Sequence, residues 1–121
     1  MGYRSDVVAL VYPVGGAENL LNYDKLKLLM NTTFKAFFES WSEYFEWDDK
    51  HRALKFEIDS VKWYDSYPDV MAFGKFLSDI RELDYEYEII RVGEEDTDIE
   101  YDSTGDAQGY LSVRREIEVS F

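Results

Sequence analysis

The spacing of apolar residues changes several times along the chain. From Asp6 to Pro13 the run DVVALVYP is almost continuously apolar and rich in valine, which predicts a buried central strand. Pro13, Gly15 and Gly16 break it. The spacing then lengthens. Leu26, Leu29, Met30, Thr33, Phe34, Phe37, Phe38 and Trp41 recur every three or four positions, the period of one helical face. A helix is predicted over 22–40, with Asn22 as N-cap and Asp24 near its positive end. EYFEW and ALKFEID predict two strands joined by the polar turn DDKHR, the second with Leu54, Phe56 and Ile58 on one face. Val70, Phe73, Leu77 and Ile80 then mark a second helix, over 68–83. Pro68 suits its first position, Ser66 can cap it, and Asp69 fits its first turn. YEYEIIRV returns to a period of two: Tyr85, Tyr87, Ile89 and Arg91 share one face, and Glu86, Glu88, Ile90 and Val92 the other. After Gly93 come an acidic turn EEDTD, a short strand IEYDS, a loop TGDAQG and a closing strand YLSVRREIEVSF that roughly alternates from Ser112 to Phe121.

The predicted fold is α+β. It is a ferredoxin-like βαββαβ antiparallel sheet with two helices on one face, plus a C-terminal β-hairpin. The core is expected at Leu29, Phe34, Phe37, Phe56, Phe73 and Leu77. A chain of 121 residues suits one domain over 1–121, and 45% hydrophobic with 17% aromatic content is enough to fill it.

Composition narrows the chemistry. The absence of cysteine excludes disulfides, zinc–thiolate sites and cysteine nucleophiles. Arg4 and Asp6 interrupt any leader-like start, and no apolar stretch approaches the roughly 20 residues of a membrane helix. A soluble cytoplasmic protein is expected. The net charge of −13 repels nucleic acid and anionic membranes and attracts basic partners. It also serves solubility.

No combination of residues suggests a reaction. His51, the one histidine, sits in a turn between Lys50 and Arg52 with no recognisable nucleophile motif. EEDTDIEYD lacks the ligand spacing and central glycine of a calcium loop. Gly15-Gly16 lacks the lysine and longer glycine pattern of a phosphate loop. No catalytic residue, metal ligand or cofactor is assigned.

Two binding constellations remain. The first is acidic. From Asp84 to Asp106 ten carboxylates face a single cation, Arg91, a density approaching that of a nucleic-acid backbone. Its members include Glu86, Glu88, Glu94, Glu95, Asp96, Asp98, Glu100 and Asp102. The second combines cations with aromatic rings: Arg4, Lys62, Trp63, Tyr64, Tyr67 and Arg91. Such a set can hold a planar ring and a phosphate, or a partner's carboxylate. Alternatively, Trp63 and Tyr67 pack in the core and Arg91 pairs with an acid such as Asp6 or Glu88.

MGYRSDV, SVKWYDSYPDV and RVGEEDTDIE, in this order and spacing, resemble a group of small uncharacterised proteins of tailed bacteriophages and prophages. The resemblance covers about a quarter of the chain and brings no active site. It implies a phage-type accessory protein acting by stoichiometric, non-catalytic binding on a host system such as an antiviral defence, in the host cytoplasm. The expected partner is a basic host protein, one that normally grips nucleic acid being an example, held by the acidic surface. The alternative is a small signalling nucleotide sequestered in the cation–aromatic pocket, between subunits. A virion structural role and an unrecognised enzyme come third. Direct nucleic-acid and membrane binding are not expected.

Overall fold

The computed structural model describes residues 3–95, 97–113 and 117–121. Five antiparallel strands form the main sheet: β1 (Ser5–Pro13), β2 (Phe45–Asp48), β3 (Ala53–Val61), β4 (Tyr85–Gly93) and β5 (Ile99–Ser103), in the spatial order β2-β3-β1-β4-β5. The apolar run of β1 lies at the centre, as its composition predicts. Its side chains alternate between two covered faces. Val7, Ala9 and Val11 meet the helices α1 (Leu20–Met30), α2 (Lys35–Ser40) and α3 (Pro68–Glu82), while Val8, Leu10 and Tyr12 meet a separate hairpin, β6 (Leu111–Val113) with β7 (Ile117–Val119). The protein is therefore α+β, with helices on one face of an antiparallel sheet and a C-terminal hairpin on the other. No helix among the described residues is long and apolar enough to cross a membrane.

Three local expectations need correction. The first helix, expected unbroken over 22–40, is interrupted after Met30. There the Asn31 amide and the Thr32 hydroxyl donate to the Lys27 and Leu28 carbonyls, in competition with the backbone ladder. The Phe34 N–H bonds to the Leu29 carbonyl at 2.9 Å, and α2 starts afresh at Lys35. This break leaves Thr33 exposed and turns Phe34 into the core. Both caps also move. Asn19, not Asn22, caps α1, its side chain accepting from the Asn22 N–H, and Tyr67 precedes Pro68 with no side-chain cap, so Ser66 does not serve. Finally, the closing strand is two strands paired on each other, and IEYDS pairs with β4 instead. Residues 114–116 of that closing segment lie outside the described residues.

The expected core is present. Phe34, Phe56, Phe73 and Leu77 are buried, and Leu29 and Phe37 pack against them partly exposed. Ring pairs tie the layers together: Phe37 stacks on Phe76 at 4.5 Å, and Phe56 and Phe73 meet at 4.6 Å.

A bulge interrupts the ladder between β1 and β3. Ser5 pairs with Val61 but Val7 with Ile58, so β3 carries an extra residue, and Ser60 takes a left-handed φ of 53°. Asp6 accepts the Ser60 N–H at 2.8 Å, and Arg4 donates to the Ser60 carbonyl at 2.9 Å. The bend lies just ahead of Trp63, which packs on Trp41, Phe56 and Phe73.

Candidate functional site

The end of β4 and the start of β5 bring Arg91 and several carboxylates together beside Trp63. Arg91 points to the helical side of the sheet, opposite Glu100 on β5. Its guanidinium donates to both oxygens of Asp98, at 2.6 and 3.2 Å, and reaches Glu100 at 2.7 Å and the Ser5 hydroxyl at 2.9 Å. Its side chain is only 12% exposed. The bond to Asp98 and then that to Glu100 raise the Arg91 pKa against the opposing effect of burial, so it stays charged. Arg91, followed by the Tyr3 hydroxyl, holds the Asp98 carboxyl below the usual carboxylate range. The expected partners Asp6 and Glu88 are not used. Asp6 serves the bulge, and Glu88 lies on the opposite face.

Tyr3 binds this end together. Its N–H donates to the Tyr64 hydroxyl at 2.6 Å, and its own hydroxyl accepts the Glu95 N–H at 3.0 Å. Gly93 makes room for it, since a Cβ there would collide with the Tyr3 hydroxyl and the Asp98 carboxylate.

Two adjoining clefts share Trp63, Arg91 and Glu100. The larger, about 510 Å³, continues over Ile89 to Asp102, and the smaller, about 220 Å³, runs under Tyr3 and Tyr64 to Asp65 and Asp98. Four carboxylates (Asp65, Asp98, Glu100 and Asp102) thus line a surface with one guanidinium that is already paired. An indole wall beside excess negative charge suits a cation with a long aliphatic stem.

The cation–aromatic set does not converge. Trp63, Tyr64 and Arg91 line these clefts, but Arg4, Lys62 and Tyr67 do not. Arg4 is occupied at Ser60, Lys62 is exposed, and Tyr67 stands edge-on to Tyr64 at the start of α3. Trp63 is half core, as its packing alternative foresees, while Tyr67 stays exposed.

The acidic set also divides. Glu94, Glu95, Glu100 and Asp102 are exposed, Asp98 is partly so, and Asp96 lies outside the described residues. Glu86 and Glu88 are not on the exposed acidic surface: both are buried, and Glu86 only edges a cleft with Thr104 and Asp106. They lie on the hairpin face of the sheet, and Glu88, bonded to the start of the hairpin, is fully buried. Its carboxylate accepts from the Tyr12 hydroxyl at 2.6 Å, the Tyr101 hydroxyl at 3.4 Å and the Tyr110 and Leu111 N–H groups at 3.2 and 3.1 Å. Glu86 accepts from the Thr104 hydroxyl. Burial first, and then Glu88, raise the Tyr12 pKa and keep its hydroxyl a donor. Alternation along β4 made these two carboxylates resemble a solvated face because their partners lie well beyond the strand, Thr104, Tyr110 and Leu111 among them.

Asp65, Ile89, Ile99 and Tyr101 also line the clefts and were not expected there. One signal could have found Ile89: a tight β4–β5 turn places Arg91 opposite Glu100 and Ile89 opposite Asp102, on one face. His51 bonds Asp48 at 2.9 Å and stacks on Phe121 at 4.1 Å, away from these clefts. Among the described residues no group of three or more His, Cys, Asp or Glu side chains is placed to hold a metal ion. No family model, curated protein or solved structure matches the chain.

Proposed function

We propose that the protein is a non-catalytic binding protein whose acidic, Trp63-walled cleft engages basic side chains of a partner protein. One observation carries this reading: Arg91 is already neutralised by Asp98 and Glu100, so the cleft presents surplus carboxylate beside an indole face. Lysine or arginine gains both an ion pair and a ring contact there, whereas a phosphate meets repulsion. The net charge of −13 steers basic partners from a distance. The resemblance of three segments to phage and prophage proteins supports a host protein as the partner, in the host cytoplasm, with a blocking role. The strand order β2-β3-β1-β4 with both crossovers helical supports a ferredoxin-like plan, extended at one edge by β5.

Thermal melting tests the choice of ligand. A short peptide of alternating lysine and valine should stabilise the protein, by about 2.7 kcal/mol at 100 times its Kd. Cyclic and linear nucleotides should leave the melt unchanged. A shift with nucleotide and none with peptide would overturn the reading in favour of nucleotide sequestration.

A further inference from the structure

β5 forms one rim of the sheet, and the described strands of the C-terminal hairpin pair with each other in a second sheet. The Gly93 N–H donates to the Asp98 carbonyl at 2.8 Å, and the Thr104 N–H to the Tyr87 carbonyl at 3.1 Å. These bonds set the phase of the strand. Even-numbered residues of β5 turn their backbone groups to β4, and odd-numbered residues turn theirs outward. Two of the outward N–H groups have local partners: Ile99 bonds the Thr97 carbonyl at 3.1 Å, and Ser103 bonds the Asp102 carboxylate at 2.9 Å. Tyr101, at the middle, carries an outward N–H and C=O together.

The side chains add a pattern to that edge. Ile99 and Tyr101 are 45% and 49% exposed and stand opposite Val92 and Ile90, on the hairpin side. Glu100 and Asp102 stand opposite Arg91 and Ile89, on the helical side with Trp63, and the larger cleft runs from there to the edge at Ile99 and Tyr101. A strand added here has its residues sorted by the same alternation. The residue facing Tyr101 falls on the apolar side, and its two neighbours fall on the acidic side.

We propose that β5 accepts a basic–apolar–basic stretch of the partner as an added antiparallel strand. The central apolar residue exchanges both backbone hydrogen bonds with Tyr101 and packs on Ile99 and Tyr101. The flanking lysines or arginines meet Glu100 and Asp102, with their stems along Trp63 and Ile89. Charge complementarity selects this occupant. A second copy of β5 would set Glu100 and Asp102 against their own kind, the usual protection of a sheet edge against self-pairing. This proposal rests on the basic-partner reading and specifies how the partner binds.

The test uses calorimetric titration of the whole protein with a short alternating lysine–valine peptide at low salt. Three further peptides serve as controls: one N-methylated on its valines, one N-methylated on its lysines, and one of the same composition in blocks. N-methylation of valine should weaken binding at least about tenfold, because those amides face β5, and N-methylation of lysine should change it little. The blocked peptide should bind more weakly than the alternating one. On the protein side, proline fits an edge strand where the N–H faces outward. Tyr101→Pro should therefore lose binding, and Tyr101→Thr, which loses the ring contact but keeps the backbone N–H, should weaken it clearly less, with circular dichroism confirming the fold of each. If Tyr101→Pro unfolds, the N-methyl pair still decides. Equal effects of the two N-methyl series would overturn strand addition and leave the basic-partner reading standing. Failure of the parent peptide to bind at all would overturn both.

Discussion

The two faces of the sheet are held by different physics. On the helical face, Phe34, Phe37, Phe56, Phe73 and Phe76 pack ring on ring with Trp41, and the charge of Arg91 is kept to one end, paired with Asp98 and Glu100. On the hairpin face, Val8, Leu10 and Ile90 surround the buried carboxylate of Glu88, whose oxygens accept from two hydroxyls and two backbone N–H groups. The first face gains stability from burial in proportion to area and has no directional demand. The second depends on hydrogen-bond satisfaction of one buried carboxyl group, and weakens as its partners are removed. A hydrocarbon layer builds the body of the fold, and a polar clamp fixes one flap to it.

Removing a ring from the first face should have the larger effect. Phe73→Ala opens a cavity among several aromatic neighbours and should lower global stability by about 3–5 kcal/mol, read from urea denaturation. Breaking the clamp should be smaller and local. Glu88→Ala leaves the Tyr110 and Leu111 amides unpaired and should lower stability by about 3 kcal/mol. Its signature is hydrogen exchange: the amides of Gln108, Tyr110 and Leu111 should lose protection before the β1–β3 ladder does. Loss of protection everywhere at once would mean that the two faces are one cooperative unit.

A smaller effect concerns acid. Asp98 has its folded pKa depressed by Arg91 and then Tyr3. The stability from this pairing is complete above the unfolded carboxylate value of about 3.9, and is lost as the pH falls through the depressed folded value. Melting temperatures measured below about pH 4 should therefore fall less steeply in Asp98→Asn than in the wild type. Smallest of all is Pro68→Ala. Proline occupies the first turn of α3, where its missing N–H has no intrahelical role, so the change should stay within about 1 kcal/mol by thermal melting.

The contrast between the faces also explains what was legible from residues alone. Period and apolarity located β1, β3, α3 and the aromatic core, because hydrocarbon burial is written position by position in the pattern. The continuous apolar run of β1 even implied cover on both sides. The break at Asn31 to Phe34 was not visible, because Thr33 and Phe34 fit the helical spacing and the interruption comes from side chains bonding to their own backbone. Glu86 and Glu88 were misplaced for a related reason. A carboxylate is solvated or buried according to partners that the fold supplies, and those of Glu88 at the start of the hairpin lie more than twenty residues away. At the candidate site, Trp63, Tyr64 and Arg91 were singled out in one constellation and Glu100 and Asp102 in the other. The β4–β5 register places the aromatic wall and the acids in one cleft.

A cleft that attracts cations through surplus carboxylate must bind them in a way that depends on its acids and on salt. The most direct measurement is the Kd of the alternating lysine–valine peptide for the wild type and for Glu100→Gln/Asp102→Asn, across ionic strengths from about 0.05 to about 0.3 M. Wild-type binding should weaken steadily as salt rises, and the double variant should bind about tenfold more weakly at low salt with a flatter salt dependence. Equal affinities for the two proteins, with no response to salt, would contradict the account.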